Sequence, residues 1–125
     1  MVSEFLEQVA VWCTGGGMGA RSIGDEVLQV QGTSANPAVL SYSVDRLWFQ
    51  QRVDVPDPTT DAAVISACRL TNLARRGILN ARWRGEFIEV TGSLQQEDCT
   101  REAVMWLFEE AATLANLIAR QLGPT

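Results

Sequence analysis

The sequence predicts an α+β fold, an antiparallel sheet with helices packed on it, in the order α-β-β-β-α-β-β-α. Three observations carry that expectation. Apolar residues recur at steps of three and four in the first and last stretches, alternate with polar ones in several segments between them, and those segments are grouped by glycine and proline into a set of three and a set of two. Strands grouped this way, rather than each followed by a helix, belong to antiparallel sheets. Residues 1–125 show no break in composition and are read as one domain.

Ser3 can cap a first helix in which Phe5, Leu6, Val9, Trp12 and Cys13 share a side, with Glu4, Glu7 and Gln8 opposite. Glycines at positions 15, 16, 17 and 19 should end it and form a mobile loop. Three strands follow. Val27 to Gln31 is short and rich in strand formers, and Pro37 to Val44 alternates Ala38, Leu40, Tyr42 and Val44 with Val39, Ser41 and Ser43. A tight turn at Asp45-Arg46 leads into Leu47 to Val55, where Leu47, Phe49, Val53 and Val55 share one face and Trp48, Gln50, Arg52 and Asp54 the other.

Pro56-Asp57-Pro58 should stop the third strand, and Thr59 or Thr60 should open a second helix. Its inner stripe is Val64, Ala67, Cys68, Thr71 and Ala74, widened by Ile65, Leu70 and Leu73, with Gly77 at the expected C-cap. Ile78 to Arg84 and Glu86 to Thr91 flank Gly85 as a hairpin. The last helix, starting near Asp98 or Thr100, carries Val104, Phe108, Ala111, Ala115, Ile118 and Leu122 along one seam and ends at Gly123-Pro124.

Composition excludes several classes of function. The net charge of −5 repels a phosphate backbone, so nucleic acid is not an expected partner. The apolar runs are too short to cross a bilayer, and the start of the chain lacks the charged and apolar regions of a secretory signal, which predicts a soluble, cytoplasmic protein. Cys13, Cys68 and Cys99 are odd in number and far apart, which suits buried thiols rather than a disulfide framework or a metal site.

Catalysis has little to work with. The absence of histidine removes the commonest general base and the commonest nitrogen ligand for metals, so no catalytic residue, metal or cofactor is expected. Glu109 and Glu110 diverge as neighbours on a helix, and Glu97, Asp98 and Glu102 surround a helix start where acids favour the dipole. The run Gly15 to Ala20 matches the spacing of a dinucleotide-binding loop, but it follows a helix and leads to a strand, the reverse of the order such a loop requires.

The aromatic residues point instead to a surface. Trp48 sits on the polar face of its strand, and Trp106, Glu110, Thr113 and Leu117 line a second side of the last helix, away from the main seam. A helix with two apolar sides needs two coverings, from its own domain, a second copy or a partner segment. Trp48, Phe49, Trp83, Trp106 and Leu117 are the candidate contacts for such a segment. A competing expectation is a small-molecule-sensing domain whose pocket converges on Arg82, Arg84 and Tyr42.

Along nearly its whole length the chain resembles the fold shared by type III secretion chaperones and YbjN-like proteins, which also occurs in cyanobacterial proteins. The resemblance rests on the meander ending in Val53-Asp54-Val55-Pro56, on Asn72 before Gly77, on the hairpin from Ala81-Arg82-Trp83 to Val90, on Leu94, and on the long helix from Arg101. It implies a non-enzymatic, chaperone-like protein or assembly adaptor, usually a homodimer, that holds an extended or helical client segment. The homodimer is expected through the final helix or the hairpin.

Overall fold

Hydroxyl side chains start the helices. Ser3 Oγ accepts the Leu6 N–H at the head of α1 (Glu4–Gly15), Thr60 Oγ1 accepts that of Ala63 at α2 (Asp61–Ala74), and Thr100 Oγ1 that of Ala103 at α3 (Arg101–Leu122). Between them run β1 (Gly19–Gly24), β2 (Val27–Gln31), β3 (Ala38–Ser43), β4 (Arg46–Val53), β5 (Asn80–Trp83) and β6 (Ile88–Gln95), with a 3-10 turn at Gln96–Asp98. This computed structural model describes residues 2–34, 36–56 and 59–123, so Asp57, Pro58 and Pro124, expected to end a strand and a helix, lie outside the described residues.

The strands form one antiparallel sheet in the order β1-β2-β3-β4-β6-β5. The order of elements differs from expectation by one strand, because the glycine run is not a mobile loop. Gly17 adopts a left-handed φ of 87°, the Met18 N–H reaches the Cys13 carbonyl at 3.0 Å, and the Gly17 N–H reaches that of Thr14 at 3.0 Å. These two bonds close the C-terminus of α1 in a Schellman motif and aim the chain directly into β1. Glycine supplies the one conformation that turn requires.

Other boundaries shift by small amounts. The tight turn is Val44-Asp45, both with positive φ, and β4 begins at Arg46. Arg75 rather than Gly77 caps α2, and β6 runs on to Gln95.

One face of the sheet carries the core. Leu28, Val30, Ala38, Leu40, Leu47, Phe49, Ala81, Ile88, Val90 and Leu94 are buried there beneath the helices. In the helical layer α1 lies against β1 and β2, α2 against β5, and α3 between them touches α1, α2 and β4. That central position explains the two apolar sides of α3: Val104, Leu107, Ala111, Leu114 and Ile118 are buried in the core, while the side bearing Glu110 and Gln121 meets α2, where they bond Arg75 and Thr71. Phe49 meets Phe108 edge to face at 5.3 Å between ring centres.

The opposite face carries polar pairs instead. Arg21 Nε donates to Gln29 Oε1 at 2.9 Å, Arg46 Nε to Ser93 Oγ at 2.9 Å, and Gln50 Nε2 to Glu89 Oε2 at 2.6 Å, each across neighbouring strands. Such cross-strand pairs tile the surface without a cover.

Candidate functional site

The five candidate contact residues separate into three places. Phe49, 1% exposed, belongs to the core and cannot touch a partner without opening the protein, which removes it from any surface site. The strand alternation that put Phe49 on the apolar face was right; its exposure was not legible without the helices above it. Trp48 lies on the polar sheet face, where its indole Nε1–H reaches the Ser43 carbonyl at 3.2 Å and the Arg46 guanidinium lies 5.9 Å from the ring centre. Its polar end is satisfied within the chain.

Leu117 is half-buried on α3, whereas Trp83 on β5 and Trp106 on α3 line two separate hollows, each of which Leu73 also borders. Trp83 Nε1 is buried and has no acceptor among the described residues.

Between α2 and the edge strand β5 runs an open groove. Ile65, Arg69 and Leu73 form its helical wall, Asn80, Arg82 and Trp83 its strand wall, and Cys68, Asn72 and Ala81 also line it. Ile65, Leu70 and Leu73, read from sequence as widening the inner stripe of α2, point outward instead and are 45%, 55% and 58% exposed. Trp106 lines a second hollow that Leu73 also borders. The spacing of Ile65, Arg69, Leu73 and Arg76 along one helical ridge was the signal that could have found this surface.

Asn72 determines what this edge can bind. Because the Arg84 N–H bonds the Phe87 carbonyl, the alternation of the ladder turns the N–H and C=O of Ala81 away from β6. The Asn72 side chain occupies both: Nδ2 donates to the Ala81 carbonyl at 2.9 Å and Oδ1 accepts its N–H at 2.8 Å. At this residue a side-chain amide stands where the next strand of a sheet would pair.

Charge gathers at the same place. From Arg69 to Arg84 the chain has five arginines and no acidic residue, although its net charge is −5. Arg75 is held by Glu110 at 2.7 Å and Arg84 by Glu89 at 2.8 Å; Arg82, opposite Glu89 across the ladder, also favours that carboxylate's charge, while Arg69 and Arg76 are exposed and form no ion pair among the described residues.

Elsewhere, a cavity of about 430 Å³ opens between α3 and the ends of β2 and β4, with Val30, Val53, Phe108 and Ala112 in its wall and Asn36, Gln51 and Asn116 among its polar groups. The pocket expected around Tyr42, Arg82 and Arg84 does not form. The Tyr42 hydroxyl is engaged near the β3–β4 turn by Asp45 and Gln96, and Arg84 pairs with Glu89 at the other side of the sheet. Among the described residues no cluster of metal-ligating side chains occurs, the three cysteines are free, and no helix is long and apolar enough to cross a membrane.

No family model and no curated protein matches the sequence. Solved structures do match in shape. YbjN from E. coli, a proposed transcription regulator, superposes with a TM-score of 0.65 at 15% identity over 92% of this chain and 89% of its own. A chain of the HopA1–SchA chaperone–effector complex gives 0.63 at 14% identity over 96% and 94%. A chain of the heterodimeric ExoU–SpcU complex from the type III secretion system of Pseudomonas aeruginosa gives 0.65 at 12% identity over 94% and 99%. The chain therefore has the fold shared by YbjN and type III secretion chaperone–effector structures, as the order of its elements predicted.

Proposed function

We propose that this chain is a non-enzymatic, cytoplasmic, chaperone-like domain that holds a segment of a client protein in the groove between α2 and β5. The observation that carries the reading is the open groove whose walls include the exposed Ile65 and Leu73 together with Trp83, with Trp106 lining a second hollow that Leu73 also borders. Contiguous apolar surface of this kind marks interaction sites. Matches in shape to chaperone–effector complexes support it. Trp83 and Trp106 remain candidate contacts, with Leu73 between them; Trp48 and Leu117 lie outside the groove.

Binding by main-chain pairing is restricted. Asn72 fills the Ala81 position of β5, so the free edge of β1 is the place where an added strand would pair without displacing a side chain. A homodimer is the other occupant considered for the α2–β5 face. A two-fold interface would set this patch against itself, each residue meeting a different residue of the other copy.

Photo-crosslinking tests the reading. A benzophenone amino acid at Leu73 should capture another polypeptide in the native cell, and the same group at Gln50, on the polar sheet face, should not. Equal capture at both positions, or none at Leu73, refutes the groove as the client site.

The second reading, small-molecule sensing, is favoured by the cavity of about 430 Å³ with its apolar wall and few amides. A metabolite that raises the melting temperature saturably, and does so less in Phe108→Ala relative to that variant's own baseline, would support it.

A further inference from the structure

Resting on the small-molecule reading of the cavity between α3 and the ends of β2 and β4, we propose that its ligand is an uncharged aromatic molecule bearing an N–H donor. The cavity lies on the side of α3 turned away from α2: Phe108, Ala112 and Ala115 line it, roughly half a turn around the helix from Glu110 and Gln121. Its volume of about 430 Å³ is within the range of small-molecule sites. Ala112 and Ala115, one and two turns past Phe108, leave room that a larger residue would fill.

Gln51 sets the polarity of that ligand. It stands on the core face of β4, where its ladder partners Ala38 and Val90 are buried and apolar, and a glutamine there is costly unless its amide is used. Its Nε2 donates to the Asn36 carbonyl at 3.0 Å. A main-chain carbonyl can only accept, so the amide cannot be turned round, and Oε1 is left without a partner among the described residues. Asn36 is fixed in the same sense, with Nδ2 on the Arg52 carbonyl and the Asp54 carboxylate at 3.1 Å each. The wall therefore offers acceptors to a donor. Asn116 on α3 is exposed and can either donate or accept, so it does not discriminate.

Charge and shape restrict the ligand further. Arg52 and Asp54, the charged residues in the wall among those described, pair with each other at 3.0 Å, which leaves no net charge for an ion to meet. Burying an ion against Val30, Val53 and Phe108 costs more than burying a neutral N–H. Phe108, set edge to face against Phe49, and the thioether of Met18 both favour contact with a flat aromatic ring.

The test uses the full chain and two rings of the same size, indole and benzofuran, which differ in having an N–H or an oxygen, with tryptamine as the charged relative. In NMR titrations indole should shift the resonances of Asn36, Gln51 and Ala115, and should bind about tenfold tighter than benzofuran or tryptamine. Ala115→Leu should fill the space and abolish binding while keeping or raising the melting temperature. Gln51→Met keeps the length of the side chain without the acceptor, so it should remove the preference for indole over benzofuran whatever it does to stability.

Benzofuran or tryptamine binding as tightly as indole, or shifts at Leu73 and Trp83 instead, would each overturn the proposal. Equal binding of the two neutral rings that Ala115→Leu abolishes refutes the donor requirement and leaves the small-molecule reading standing. If no ring binds, this ligand class is refuted, and whether any metabolite raises the melting temperature decides the small-molecule reading separately.

Discussion

The Arg75 guanidinium holds the Glu110 carboxylate through two N–H groups, Nε to Oε1 at 3.0 Å and Nη2 to Oε2 at 2.7 Å, and so ties the end of α2 to the middle of α3. Glu110 is 8% exposed and Arg75 reaches solvent, so the two ends of the pair are not equivalent. Arg75→Ala leaves a buried carboxylate without its counter-charge and should lower the urea midpoint more than Glu110→Gln, which leaves an exposed cation and a neutral amide. Replacing both with leucine should recover most of the loss. If Glu110→Gln is the more damaging single change, the pair does not hold the helices as described.

Val44 stands at a hairpin tip with a φ of 52°, 86% exposed, a conformation that a β-branched residue adopts at a cost. Asn suits that position, so Val44→Asn should stabilise the protein by about 1 kcal/mol in urea denaturation. A loss of stability would mean that the valine makes a contact the turn needs.

Gly92 faces Phe49 across β4 and β6, and the chain entering β5 crosses directly over it. A Cβ there would overlap the Ile78 carbonyl and sit 2.7 Å from Leu79 Cδ2. Gly92→Ala should therefore cost about 1–3 kcal/mol, measured by thermal or chemical denaturation. A neutral substitution would show that residues 77–79 pack more loosely than described.

Burial pushes the Cys13 thiol up to about 11, and burial also raises Cys99, with Asp98 adding to it. At mildly alkaline pH an aromatic disulfide reagent should label half-buried Cys99 first and leave Cys13 untouched until urea unfolds the chain. Rapid native labelling of Cys13 would contradict its place in the core.

Glu89 is held below the ordinary glutamate range, chiefly by its bond from Arg84 and further by the Gln50 amide, against the cost of desolvation. A folded-state value below the unfolded one gives stability that is present above the unfolded value and disappears as pH falls through the folded one. Stability should thus decline on the acid side, and Glu89→Gln should flatten that decline. Identical acid limbs in the two proteins would refute the linkage.

The helices were legible because their signals are local: Ser3, Thr60 and Thr100 cap them as hydroxyls at those positions should, and their spacing shows the buried stripes. β1 was not, because Gly19-Ala-Arg-Ser-Ile-Gly24 has little strand propensity and is made a strand by pairing with β2. The same limit explains Phe49 and Leu73. Alternation and helical spacing show which side chains share a face, so Ile65, Arg69 and Leu73 could be read as one ridge, but whether a face is covered, as at Phe49, or open, as at Leu73, depends on where the helices pack. The Asn72–Ala81 contact joins residues nine apart through a side chain, and Asn72 in the sequence carries no mark of that role.

The position of α3 also bears on how damage would spread. It touches α1, α2 and β4 together, and Phe108 on it covers Phe49. Loosening this one helix would therefore slacken both flanking helices and bare the aromatic centre of the sheet at once, so the protein should come apart as a unit rather than helix by helix.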